Sequence, residues 1–597
     1  MASRALPAGL TGGMLSAMAL LGPKNPLRIP IGESDFAAAR ERGFSLVDKT
    51  RVISDVLDNT AKILLIPRPR RFGKTLNLSS MRYFLDMSIP EPRRRALFED
   101  TEVWRHDGGR LQARCGAHPV IYLSFRQVKE ASWDACLARV RHILNTELRR
   151  LRRAYALDEA FAEVPDHLDS LDLMCARDAS DAVIGESLGD ITTLLHEATG
   201  RGVVTLIDEY DAPLHAAFEG GYWVEAVTFF RGLLTAGLKD TEALEKAVLT
   251  GILRVAKEGI FSGLNHVEVL GVLSPAMADR FGFTEPEVAE LAEAASASDQ
   301  LEVIRTWYNG YRFGDEASVV IYNPWSVLSF LKLARPRPQS FWLNTSDNAL
   351  IIDLLKRTTG SLGPAFAALL AGETVPVLIQ DDVPLSQLRQ TPNALWSLLT
   401  FSGYLTAESV TSTLAGFECQ LRIPNAEVRE VFKGPFSAWL GVGDSGEQLR
   451  LLTSAMLRGD ADGFERTLGL LLKNAMSVFD FGVRAVEAVY QAFIIGLLLH
   501  LDQSHVVRSN REEAYGRADV TVRPRQAGPG AVLELKVINP EDDAASDARK
   551  ALDTAIRQLT EWDYAAGLLA DGATTVHQYA VVFDGKRCRA RLVPRQA

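Results

Sequence analysis

The amino-acid sequence predicts an α/β protein whose N-terminal half is wound around a parallel sheet, followed by a helical middle region and a second, smaller α/β unit. Three observations predict it. Short, continuously apolar runs alternate with helical patterns over the first half of the chain. A basic turn after the first of these runs opens a helix, and a later run ends in two adjacent acids, Asp208 and Glu209.

The runs are AKILLI from Ala61, HPVIYLSF from His118, VVTLID from Val203 and KAVLTGI from Lys246. A strand that is apolar at every position, and not at alternate ones, is buried on both faces, and helices between such strands give a parallel sheet. A helix is expected from about Lys74 to Met87. From about Glu285 to Gly443 the chain reads as mostly helical, with turn clusters TWYNGYRFG and IYNPWS and no run of strands. Past Asp444 come amphipathic helices up to His500, a strand pair broken by RQAGPG, a helix around Asp547 to Ala566 and a last strand, QYAVVFDG. The expected organisation is a flexible N-terminus over 1–27, a sheet domain over 28–284, a helical connecting region over 285–443 and a compact α/β unit over 444–597.

A chain of 597 residues is too long for one core. With 47% hydrophobic and 23% charged residues it has the composition of a folded globular protein, not of a disordered or fibrous one. No segment repeats at solenoid or propeller periods. The net charge of -10 excludes a surface coated in cations, so nucleic-acid contact would come from local patches. One patch is Arg68, Arg70, Arg71 and Lys74. The other is Arg139, Arg141, Arg149, Arg150, Arg152 and Arg153 on an expected helix, whose plainer reading is a solvated face. Five cysteines without a C-x-x-C pair point to neither disulfides nor zinc. Leu6 to Leu21 is too short and too interrupted to span a bilayer, so no membrane association is expected. A secretory leader is the alternative reading of that stretch, and a cytoplasmic protein the expectation.

A phosphate loop works because backbone N–H groups following a strand point at phosphates, the helix N-terminus adds positive potential, and a lysine neutralises the outer phosphates. IPRPRRFGKTL has this layout. Arg70, Arg71, Phe72 and Gly73 form the turn, Lys74 supplies the cation, and Thr75 supplies a hydroxyl for Mg²⁺. The departure is Arg68, which stands where G-x-x-x-x-G-K-[ST] has glycine, so the loop must take a different shape, with Pro67 and Pro69 stiffening it. In VVTLIDEYD, Asp208 can hold the magnesium through water and Glu209 can polarise the attacking water. The interval of about 130 residues between loop and acids leaves room for the extra strand that ATP-hydrolysing P-loop proteins place between them. Arg254, beyond the fourth run, is placed to sense the γ-phosphate or is a surface arginine.

Near the C-terminus GRADVTV precedes VLELKVI, which puts Glu534 and Lys536 on one face of a strand next to Asp519. Two carboxylates on a hairpin form a hard oxygen site suited to Mg²⁺, and a lysine beside them can orient a metal-bound water, the layout for phosphodiester hydrolysis. Charge alternation on an edge strand explains the E-L-K alone. Glu487 on a preceding helix and Gln558 on the following one are further candidates.

These residues carry a resemblance. IPIGESDF, LVDKT from Leu46, PRRFGKTL, LIDEYDAPL, FSGLN, WYNGYRF, YNPWS, GYLT from Gly403, IPNAEV from Ile423, GRAD and LELK occur in this order. From about Leu27 to Lys586 the chain resembles a bacterial and fungal family of AAA-ATPase-like proteins fused to a C-terminal PD-(D/E)XK nuclease-superfamily domain. By that resemblance the loop without its first glycine is a family trait. Lys74 and Thr75 would bind ATP and Mg²⁺, Asp208 and Glu209 would form the acidic pair, and Asp519, Glu534 and Lys536 would match the nuclease core, with Ala518 where the motif has proline. The implied function is an ATPase whose cycle gates a Mg²⁺-dependent nuclease acting on foreign or mobile DNA. The alternative is a regulatory ATPase whose C-terminal domain only binds nucleic acid, DNA before RNA, or a protein partner. A homo-oligomer is possible, although no arginine can be assigned as a finger reaching a neighbour.

Overall fold

The computed structural model describes residues 20–24, 26–253, 260, 264, 266–314, 319–333, 336–342, 362, 365–366, 368–380, 391–439, 446–474, 487–498, 501, 504–513, 516–538 and 544–595. Its N-terminal sheet has five parallel strands: β1 (Ile63–Pro67), β2 (Val120–Ser124), β3 (Val203–Asp208), β4 (Leu244–Gly251) and β5 (Val267–Val269), in the order β2-β3-β4-β1-β5. The four apolar runs are the first four strands. Strand β4 lies between the loop strand β1 and the acidic strand β3, so the strand that separates them in space follows both in sequence, and β2, which lies between them in sequence, takes the edge.

Continuous apolarity has the expected consequence. Ile63, Leu65, Ile121, Leu123, Val203 and Ile207 enter a core on one face, beneath helices α2 (Trp133–Ala154), α3 (Asp181–Thr199) and α5 (Trp223–Leu238). Leu64, Ile66, Val120, Val204 and Leu206 enter a second core on the other, with Leu78, Met81 and Phe84 of helix α1 (Lys74–Leu85). The period of two along each strand assigns neighbours to opposite layers. Helix α4 (Ala212–Gly220) follows the acids of β3.

Four of the six arginines of α2 form ion pairs within the chain, and Arg149 and Arg153 donate to the Cys175 and Arg149 carbonyls. Arg139 meets Glu130, Arg141 meets Asp181, and Arg152 meets Asp158 and Asp172. Arg150 joins Glu147 and the buried Asp86 and donates to the Val120 carbonyl. These contacts fit the plain reading of α2 as a helix held to the body by surface ion pairs.

The middle region is helical, but it also carries strands, which the expectation of none missed. A ribbon pairs β6 (Tyr311–Phe313) with β7 (Val319–Ile321), and an antiparallel sheet has the order β8 (Val375–Ile379), β10 (Gly416–Arg422), β9 (Thr406–Thr413). Strand β9 reads TAESVTST, a polar surface strand without the apolar run that marks a buried one. Helices α6 (Pro324–Leu331) and α7 (Ala426–Trp439) complete this region for the present purpose.

After helices α8 (Gly446–Arg458) and α9 (Ala461–Asn474) comes α10 (Glu487–Leu498), then a mixed five-stranded sheet in sequential order: β11 (His505–Glu513), β12 (Gly516–Pro524), β13 (Gly528–Val537), β14 (Ala573–Asp584) and β15 (Arg587–Val593). Only β13 and β14 are parallel, joined by α11 (Ala544–Glu561) and α12 (Tyr564–Ala570), a crossover that the sequence reading took as one helix. Helix α10 packs against β11, β12 and β13.

Candidate functional site

The loop after β1 delivers Lys74 and Thr75 at the first turn of α1, with Gly73 in the left-handed region at φ 84°. Thr75 Oγ1 donates to Asp208 Oδ2 at 2.9 Å, and Thr250 Oγ1, from β4, donates to Oδ1 at 2.8 Å. The strand order makes this possible: β4 lies beside both β1 and β3, so its end can hold the acid against the loop. Asp208 is fully buried.

Lys74 is also buried and donates to the carbonyls of Arg68 and Pro69, both at 2.9 Å. Burial lowers its pKa, against the pull of Glu209, Asp208 and Asp211. Glu209 holds φ 50°, an uncommon backbone conformation for a residue with a side chain, and lies 3.9 Å from Arg126. Burial raises its pKa, making it a stronger base than an exposed glutamate. Burial also pushes Asp211 up, but contact with His215 and hydrogen bonds from Ile252 and Leu253 N–H outweigh it and hold this carboxyl below its ordinary range.

Arg68 resolves the departure from the glycine pattern. Its side chain does not enter the phosphate side of the loop. It turns back into the core, where it is fully buried, and donates to the carbonyls of Pro67, Leu270 and Met277 at 2.9, 2.5 and 3.2 Å. The guanidinium lies over the rings of Phe281 and Phe313, and burial lowers its pKa to about 9.

The middle region closes over the loop. Phe72 packs on Tyr311 and Phe313, Gly403 abuts Pro69, and the guanidinium of Arg71, at φ 68°, lies 4.2 Å over Trp325. Between these walls lies a cavity of about 680 Å³, lined by the loop, by Glu209 and by residues of the N-terminal segment and the middle region. That volume suits a ligand of nucleotide size. Arg70 lines it too, and Arg254 lies outside the described residues.

In the C-terminal sheet Asp519 lies on β12 beside Glu534 on β13. Asp519 Oδ2 accepts from Leu535 N–H at 2.7 Å, and Lys536 Nζ meets Glu534 Oε1 at 2.9 Å. Glu534 is 2% exposed. Tyr564, at the start of α12, has its pKa pushed up to about 12 by burial and by Glu534 and Asp519, which brings it into the same group. From α10, Gln491 Nε2 donates to the Asp519 carbonyl at 2.7 Å. The sequence reading named neither Tyr564 nor Gln491, and an isolated tyrosine or glutamine gives no motif signal. Glu487 begins α10, but its side chain lies outside the described residues. Gln558 is half-buried on α11, with Oε1 buried and lacking a hydrogen-bond partner among the described residues. The carboxylates of Asp519 and Glu534 supply hard oxygen donors that suit a cation such as Mg²⁺.

The fold is that of a P-loop protein, and its C-terminal sheet domain places Asp519, Glu534 and Lys536 in a second candidate site. Comparison with known families agrees: residues 30–261 match the family model described as a predicted AAA-ATPase, and residues 485–591 match the PD-(D/E)XK nuclease superfamily. The chain carries an AAA-ATPase-like domain and a C-terminal PD-(D/E)XK nuclease-superfamily domain. It is similar to an uncharacterized protein encoded in the vnfD 5' region of Azotobacter chroococcum mcd 1, at 29% identity over 406 residues, covering 67% of this chain and 68% of that one. Among solved structures, the ORC2 protein of Aeropyrum pernix, in ADPNP-ADP complexes, aligns at 12% identity over 69% of this chain and 96% of that one, with a TM-score of 0.23, too low to carry an argument.

Proposed function

We propose that the chain binds and hydrolyses ATP and that its nucleotide cycle gates a Mg²⁺-dependent nuclease, with foreign or mobile DNA as substrate. A divalent cation, when bound, supplies charge stabilisation at phosphate oxygens and lowers the pKa of coordinated water. At the first site Thr75 and Asp208 would hold it, and Lys74 would leave the carbonyls of Arg68 and Pro69 for the outer phosphates. Glu209 would take the proton of the attacking water, a role that its raised pKa suits. At the second site Asp519 and Glu534 would hold the cation, while Lys536 would orient the water.

One observation carries the gating: a continuous run of contacts joins the two sites. Arg71 of the phosphate loop lies on Trp325, and Ser326, its neighbour, donates to Glu427 on α7 at 2.7 Å. Helix α7 packs against α10, whose Gln491 holds the Asp519 carbonyl. Contiguity of this kind supports coupling, and only a change in one site measured at the other demonstrates it.

The test is cleavage of plasmid, linear and single-stranded DNA, and of RNA, with Mg²⁺ or Mn²⁺, with and without ATP. The expected result is ATP-dependent DNA cleavage that Lys536→Ala abolishes and that Lys74→Ala makes insensitive to ATP. Wild type and Lys536→Ala behaving alike on every substrate would overturn the nuclease. Mn²⁺ binding lost in Asp519→Ala, without cleavage by wild type, would leave a regulatory ATPase with a metal-binding partner domain.

A further inference from the structure

The cavity above the phosphate loop has an aromatic wall that phosphates alone do not need. Trp325, near the start of α6, is half-buried and lines it. The indole Nε1 donates to the Phe341 carbonyl at 3.3 Å, and Phe341 N–H donates to Glu427 Oε1 at 2.7 Å. Glu427 Oε2 takes the hydroxyl of Ser326, the next residue in the chain. One fully buried carboxylate thus fixes the indole twice, through the acceptor of its N–H and through its own helix. On the cavity side the ring face carries the guanidinium of Arg71.

A half-exposed tryptophan ordinarily exchanges rotamers, whereas this one is clamped, lines the cavity and has a guanidinium laid on its ring. We propose that Trp325 is the stacking platform for the base of the bound nucleoside triphosphate, and that Arg71 occupies the platform until the phosphates arrive. This rests on reading the cavity as a triphosphate site. The attraction of a guanidinium to a ring at a half-exposed position is weaker than charge-assisted hydrogen bonds to phosphate. A triphosphate in the loop therefore draws Arg71 off the indole and opens that face to the base. Every base has a π-face, so Trp325 sets affinity for nucleotides over bare phosphates and selects little among bases. Glu427 is the positioning residue.

Calorimetric titration with ATP and with inorganic tripolyphosphate, on the full chain and its Trp325→Ala, Trp325→Phe, Glu427→Gln and Lys74→Ala variants, tests this. Trp325→Ala is expected to weaken ATP roughly ten-fold or more while tripolyphosphate binds as in wild type. Trp325→Phe recovers most of the loss, and Glu427→Gln weakens ATP selectively by a smaller factor. ATP affinity untouched in Trp325→Ala, or ATP and tripolyphosphate weakened equally, overturns the platform. If Lys74→Ala leaves ATP binding intact, the triphosphate reading of the cavity fails whatever Trp325 does.

Discussion

The hydroxyl of Thr75 donates to a carboxylate oxygen of Asp208 at 2.9 Å, across 133 positions of sequence, while Thr250 holds the other oxygen. Asp208, at the end of β3, is therefore a structural tie to helix α1 and strand β4 as well as a cation-holding candidate, and the two roles separate on substitution. Asp208→Ala should lower stability by about 1–3 kcal/mol, the cost of leaving buried hydroxyls without their acceptor, read as a shift in denaturation midpoint. Asp208→Asn keeps one oxygen and should fold nearly as well, yet lose Mg²⁺-dependent ATP turnover. An alanine variant as stable as wild type contradicts the tie.

Restoring the glycine of the standard phosphate loop should do harm. Arg68→Gly strips the donor from the Pro67, Leu270 and Met277 carbonyls and opens a void beneath Phe281 and Phe313. A loss of about 3 kcal/mol or more is expected, from unpaired buried carbonyls and the cavity together. Chemical denaturation reads it directly, and a glycine variant that gains stability would show that the buried guanidinium is a burden the loop tolerates.

Glu427 gives the fold a pH dependence of defined sign. Burial raises its pKa to about 7, although Trp342 and Phe341 N–H and the Ser326 hydroxyl favour the charged form. Between its unfolded value near 4.5 and about 7 the native state holds more protons than the unfolded one, so stability falls as pH rises through that window. The contribution is fully present below 4.5 and lost above 7, and amounts to at most about 3 kcal/mol. The slope of stability against pH from 4.5 to 7 should flatten in Glu427→Gln; an unchanged slope assigns it to other groups.

Gly403 couples the middle region to the phosphate loop by close approach. Its φ is 87°, and an added Cβ would fall 2.9 Å from Pro69 Cβ. Gly403→Ala should cost about 1–3 kcal/mol in backbone strain and push Pro69 into the loop. The readout that separates this from simple destabilisation is nucleotide affinity at a temperature where the variant is fully folded, which should fall several-fold, whereas Gly200→Ala, at φ 63° with nothing within 4 Å of its Cβ among the described residues and away from the cavity, should only lose stability.

Much of this was legible from the chain. The first four strands announce themselves because a strand buried on both faces must be apolar throughout, and Asp208 and Glu209 end such a run. Strand β5, only Val267–Val269, is too short to give a pattern. The sheet built on Thr406–Thr413 was missed because its strand is largely exposed and polar. The fate of Arg68 was hidden for another reason: two of its three acceptors are backbone carbonyls 202 and 209 positions away, and a carbonyl leaves no trace in residue identity. Glu427 and Trp325 lay inside recognisable motifs, but their contact joins two of those motifs across 101 positions through Ser326.

The backward turn of Arg68 also bears on the timing of ligand capture. Glycine in a phosphate loop allows a tight turn and close backbone approach at a cost in chain entropy. Here a buried cation pins the loop from behind and Gly403 braces Pro69 from the side, so the cradle stands in shape beforehand. Little chain entropy is then left to lose on association, and affinity draws on preorganisation more than on induced closure.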